Sequence, residues 1–134
     1  MAGPAAAKLL LDSSTVVRII EGSALAFELQ EAALAADLVL APELMLTEVA
    51  NALWRLQRGS QLEADGLQRR LSRAAELVDV IEPDRHLQAE ALALACHLDH
   101  PVYDCLYLAL ARREAAALLT ADQRLQQLAA RVLP

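Results

Sequence analysis

A chain of 134 residues has room for one domain with a real core. With 56% hydrophobic but only 3% aromatic side chains, that core must be built from Ala, Leu and Val, which favours helices with closely approaching backbones. A net charge of −6 argues against holding nucleic acid by bulk attraction, and no run of about 18 apolar residues is present to cross a membrane.

The first apolar run, Lys8–Asp12 (KLLLD), reads as a buried strand. SSTVVRIIEG follows, with Ser13 or Ser14 available to cap a short helix that stops at Gly22. Ala24–Ala36 reads as a second helix and Leu38–Leu40 as a second strand. Pro42 suits the first position of the next helix, Pro42–Arg58, which ends before Gly59. Glu63–Leu77 is helical, weakened near its start by Gly66, and polar on one side through Arg69, Arg70 and Arg73. Val78–Ile81 reads as a strand closed by Pro83, and Asp84–Leu98 as a helix. HLDHPV turns the chain into Tyr103–Glu114, which is apolar almost all round and so should be a central buried helix. Ala117–Thr120 reads as a strand, Asp122–Ala130 as a helix and the terminal VLP as a short last strand. No linker and no internal repeat interrupts this order. Short apolar runs alternating with helices predict an α/β domain: three layers, with a short, mainly parallel sheet of four or five strands between helices.

The two cysteines, Cys96 and Cys105, fall inside helical patterns and do not form a disulfide framework. The opening MAGPAAAKLLLD is broken by Lys8 and stopped by Asp12, too short and too weakly basic for a secretory signal. A cytosolic protein is expected, with residues 1–7 as a frayed leader.

Right-handed βαβ units send strands up and helices back down. Asp12 closes the first strand and Asp104 begins a helix, so both belong at the carboxyl edge of the sheet. The helix from Asp104 descends about 15 Å at 1.5 Å per residue. The strand that follows climbs back at roughly 3.3 Å per residue, which returns Asp122 to the level of Asp104. Glu48 sits in the second turn of its helix, about 9 Å below the start. The stripe Leu46, Val49, Ala50, Leu53 and Leu56 is apolar, while Glu48, Asn51 and Arg55 lie on the other side. Ligand sites in open α/β sheets belong at that edge. Each acid taken singly fits a plain role, since Asp12, Asp104 and Asp122 all precede helical sequence and suit N-caps, and Glu48 suits a solvated face. Four acids converging on one end raise one another's pKa unless a cation joins them. All-oxygen ligands suit Mg²⁺ or Mn²⁺.

LLLDSSTVV, APELMLTEVANAL, VYDCLYLALA and LLTADQRL, in that order, resemble the motif set of PIN-domain ribonucleases, and most nearly the VapC-type toxins of toxin–antitoxin pairs. The resemblance runs from about Lys8 to Leu128, with extra residues before Asp12. It implies a metal-dependent endoribonuclease using Mg²⁺ or Mn²⁺, with Asp12, Glu48, Asp104 and Asp122 as catalytic and metal-holding acids. It assigns supporting roles to Ser14, Thr120 and Asn51, and implies a homodimer and a small antitoxin that covers the groove. No histidine stands at a motif position, so proton transfer falls to metal-bound water.

The basic residues are eleven Arg and one Lys, and Arg suits bidentate phosphate contact. Arg18 and Arg124 follow Asp12 and Asp122 and are RNA-contact candidates, with Arg55 a weaker one. Cys96, His97, Asp99 and His100 form a tight but single cluster, a poor zinc site. His100 is expected to meet exposed carbonyls at a helix end, Cys105 to be a small core residue, and Trp54 to pack between helices. A phosphoacceptor receiver domain would need a late lysine, and the only Lys is Lys8. The remaining alternative is an inactive PIN-like binding module.

Overall fold

The computed structural model describes residues 7–134. Of the expected leader, residues 1–6 lie outside the described residues. Ala7 is already tied down, its N–H donating to Asp37 Oδ2 at 2.7 Å. The strands are β1 (Lys8–Leu11), β2 (Leu38–Pro42), β3 (Val80–Glu82) and β4 (Ala117–Leu119). The helices are α1 (Ser13–Glu21), α2 (Ala26–Ala35), α3 (Leu44–Arg58), α4 (Leu67–Glu76), α5 (Gln88–Leu98), α6 (Val102–Glu114) and α7 (Gln123–Val132).

All strand pairs are parallel, in the order β3-β2-β1-β4. Leu9 faces Val39 on one side and Ala117 on the other, so β1 is central and reads as a continuous apolar run. The chain steps from β1 to β2 to β3 in one direction, then crosses back to place β4 on the far side of β1. Right-handed crossovers require helices on opposite faces for these two directions. Accordingly α1 to α4 pack with one another, as do α5 to α7, giving three layers. The strand order reverses between β1 and β4, where open α/β sheets place ligands.

The core matches the Ala/Leu/Val composition. Helix α6 is buried at every position from Cys105 to Ala111, as its all-round apolarity predicts. Leu106, Leu108 and Leu110 each contribute about 2 kcal/mol of burial. Cys105 is a buried core residue, and both burial and the neighbouring Asp104 charge push its thiol pKa up, away from nucleophilic use. Among the described residues no helix is long and apolar enough to cross a membrane.

Several expectations fail locally. Pro42 does not start a helix: it is the last residue of β2, buried, and α3 begins two residues later. Neither serine caps α1, because the Asp12 carboxylate takes that position. Gly66 stands before α4 rather than within it, at φ 88°, a left-handed conformation suited to glycine. The expected single helix Asp84–Leu98 is a one-turn 3₁₀ helix, Asp84–His86, followed by α5, because Asp84 is held by the Leu44 N–H at 3.1 Å. The VLP segment is no strand, since α7 runs on through Val132. Trp54 does not pack between helices: it is 51% exposed, with the Arg58 guanidinium 5.5 Å above its ring.

Candidate active site

Strand β1 delivers Asp12 to the carboxyl edge, beside the end of β4. The side chain is 3% exposed. It caps α1 by accepting the Thr15 N–H at 3.1 Å. Its Oδ2 also accepts the Thr120 hydroxyl at 2.6 Å, and Ser14 Oγ lies 2.9 Å from both oxygens. The Thr15 hydroxyl donates to the Leu119 carbonyl at 2.9 Å, pinning α1 to the end of β4. Burial pushes the Asp12 pKa up, and the Thr120, Thr15 and Ser14 hydrogen bonds oppose that rise.

Helix α3 brings Glu48 in from the neighbouring crossover. Its Oε1 accepts the Tyr107 hydroxyl at 2.6 Å and the Ser13 hydroxyl at 3.2 Å. Burial raises the Glu48 pKa most, and the Asp104 and Asp12 charges raise it further. Tyr107 is itself buried and its hydroxyl pKa is pushed far up, so it stays a donor. Asp104 is in the first turn of α6, where the helix N-terminus favours a carboxylate. Its Oδ2 lies 2.7 Å from His100 Nε2, a distance at which the ring N–H donates to the carboxylate.

Glu48 thus feels the charges of Asp104 and Asp12, yet among the described residues none of the three is ion-paired with Lys or Arg. Asp122 is placed differently. It is exposed and caps α7, its Oδ1 accepting the Arg124 N–H at 2.8 Å and the Leu125 N–H at 3.4 Å. Its link to Asp12 runs through Thr120, whose hydroxyl accepts the Asp122 N–H at 3.0 Å. A groove of about 750 Å³ opens between α1 and α3, lined by Ser14, Arg18, Glu48, Asn51, Arg55 and Tyr103 among others. Arg124 is not among its lining residues.

Among the described residues, no three acidic, histidine or cysteine side chains meet closely enough to hold an ion by themselves. The donors are carboxylates and hydroxyls, which fit a hard divalent cation that keeps most of its waters. Cys96 and His97 are exposed on α5 and do not join His100 in a cluster.

Two residues were missed in the sequence. His100 points at Asp104 and not at helix-end carbonyls. Asp99 adopts a left-handed φ of 51°, which tightens the α5–α6 turn to three residues and swings His100 over α6. Tyr107 lies one turn beyond Asp104 in VYDCLYLALA, a spacing that placed it beside the site.

A parallel sheet with a strand-order reversal, edged by the buried Asp12 and the half-buried Glu48 and Asp104, defines an open α/β/α class with its site at the carboxyl edge. The family model for the PIN domain matches residues 9–131, and the chain belongs to that family. It is 28% identical over 122 residues to ribonuclease VapC3 of Pyrobaculum aerophilum, spanning 90% of this chain and 93% of that protein. The crystal structure of PAE2754 from Pyrobaculum aerophilum superposes with a TM-score of 0.72 at 21% identity, over 96% of this chain and 83% of that one. Mycobacterium tuberculosis VapC20, described as a sarcin-ricin loop cleaving toxin, superposes at 0.63 with 16% identity, over 89% and 93%. The resemblance to VapC-type members read from the motifs therefore holds.

Proposed function

We propose that the protein is a metal-dependent endoribonuclease, the toxin of a toxin–antitoxin pair. The observation that carries the proposal is the trio Asp12, Glu48 and Asp104, two of them with raised pKa, at the carboxyl edge of the sheet and, among the described residues, without a Lys or Arg partner. Carboxylates so placed are costly in an empty fold and useful around a cation. Asp12, Asp104 and Glu48 would hold Mg²⁺ or Mn²⁺, directly or through water, with Asp122 contributing from the rim. When bound, the ion supplies Lewis acidity toward phosphoryl oxygens and lowers the pKa of a water.

The chain's own groups set the geometry. Thr120 and Ser14 fix both oxygens of Asp12, Tyr107 and Ser13 fix Glu48, and His100 fixes Asp104. Asn51 lines the groove beside Glu48, and Arg18 and Arg55 face it as phosphate contacts; Arg124 would reach RNA from outside the groove. With the cation bound, that end of an acidic protein approaches neutrality. The relatives' names support RNA as substrate and a toxin role, hence an antitoxin partner; a homodimer and a cytoplasmic location complete the proposal. Calorimetry with Mn²⁺, joined to an RNA cleavage assay, tests it. Binding and cleavage by the wild type, both lost in Asp104→Asn, are expected. Binding of RNA without turnover in Mn²⁺ would instead establish an inactive module.

A further inference from the structure

Tyr103 and Tyr107 stand one turn apart on α6 and have opposite surroundings. Tyr107 is 1% exposed and spends its hydroxyl on Glu48. Tyr103 is 62% exposed, lines the groove, and its hydroxyl has no partner among the described residues. The exposed Trp54 differs again, because the Arg58 guanidinium already covers its ring. Tyr103 therefore presents a bare aromatic ring to the groove that Glu48 also lines, one residue before Asp104 on α6.

Two arginines line the same groove. Arg55 lies two turns beyond Glu48 on α3, about 10 Å along the axis. Arg18 faces the same groove from α1. Glu21 also lines it, yet neither guanidinium is ion-paired among the described residues. The groove thus offers Glu48, an open ring and two unengaged guanidiniums. A nucleotide strand has the matching pieces: a phosphate for the acids through a cation, a base for the ring, and a neighbouring phosphate for the arginines.

We propose that Tyr103 is a stacking platform for one unpaired base next to the scissile phosphate, on a strand that runs along the groove between α1 and α3. Bases inside a duplex are already stacked on one another and cannot reach the ring. The proposal rests on the ribonuclease reading and adds a base-contacting residue to its site.

The test is fluorescence anisotropy with a labelled single-stranded RNA 12-mer of adenosines, in Ca²⁺. It compares the wild type with Tyr103→Ala, Tyr103→Phe and Tyr103→Trp. Tyr103→Ala should bind about ten-fold more weakly, the loss of one base–aromatic stack. Phe and Trp should stay within about two-fold of the wild type, since the ring face and not the hydroxyl does the binding. An abasic 12-mer should bind the wild type and Tyr103→Ala alike. Equal binding of the adenosine 12-mer by Tyr103→Ala and wild type would overturn the stacking role, as would a Phe variant as weak as Ala, or a 12-base-pair duplex bound as tightly as the single strand. Cleavage by the wild type in Mn²⁺ alongside such a result would leave the ribonuclease reading standing. A wild type that neither binds nor cleaves RNA would remove both.

Discussion

Glu82 and Glu48 are two glutamates at the same edge of one sheet with opposite treatment. Glu82 ends β3 and meets Arg113 at 2.9 Å and His86 at 2.9 Å. Those partners, Arg113 foremost, pull its pKa below the usual carboxylate range. Glu48 has a tyrosine and a serine hydroxyl, two acidic neighbours and no cation, and its pKa is raised. An acid that serves the fold is given its counter-charge by the chain. An acid held ready for something outside the chain is given donors that orient it and leave its charge uncompensated. Asp104 stands between them, with a histidine but no Lys or Arg.

The strongest way to break this contrast is Asp104→Asn. It removes a charge from the uncompensated set while preserving size, so the melting temperature should move by only a few degrees. Cleavage should fall by about a thousand-fold or more, since a cation's contribution to phosphoryl transfer is several kcal/mol. Full activity in this variant would sink the assignment of the site. Next in size is His100→Leu, which leaves Asp104 unanchored. Outer partners of metal-holding carboxylates are worth about 10- to 100-fold in metal affinity. Mn²⁺ titration should show a loss in that range, with His100→Gln recovering part of it through its amide donor. An unchanged affinity would make the 2.7 Å contact a packing accident.

Glu48 and Glu82 also predict opposite pH behaviour. A carboxyl whose folded pKa is raised binds its proton more readily in the folded state. The destabilisation from Glu48 and Asp12 is therefore full at neutral pH and is relieved as pH falls through their raised folded pKa values. Glu82 contributes stability above its unfolded pKa and loses it as pH falls through the lowered folded one. In metal-free buffer at pH 7, Glu48→Gln should raise the melting temperature by about 3 °C, while Glu82→Gln should lower it slightly, as for a surface pair. Saturating Mn²⁺ should shrink the advantage of Glu48→Gln. Matching shifts in the two variants would show that their surroundings do not differ in the way described.

Most of this arrangement was legible in the chain because it rests on periodicity and punctuation. The all-apolar run after Asp104 reads as a buried helix, and KLLLD, bounded by a helical pattern, as a strand ending in an acid. What was hidden depended on tertiary geometry. Pro42 has the same local signal at a helix start as at a strand end, and its neighbours in β3 decided the matter. His100 is four residues before Asp104, but that spacing brings side chains together only once Asp99 turns left-handed. Asp122 reads identically as a cap or a ligand from sequence, and the exposed side chain capping α7 makes it the least embedded of the four acids.

The contrast extends to the arginines. Arg113 is committed, bonded to Glu82 at 2.9 Å and close to Glu114 at 3.7 Å. Arg55 is turned to the groove and paired with nothing among the described residues. Arg113→Ala should cost stability, up to about 1 kcal/mol given its partial exposure, and leave KM for RNA unchanged. Arg55→Ala should leave the melting temperature alone and raise KM several-fold, with a shallower salt dependence because one phosphate contact is lost. Arg124, outside the groove, should fall below Arg55 in its effect on KM. Steady-state kinetics on one RNA at two salt concentrations, beside thermal melts, separates the three. If Arg124→Ala raised KM more than Arg55→Ala, the strand would have to pass over α7, and the path between α1 and α3 would be wrong.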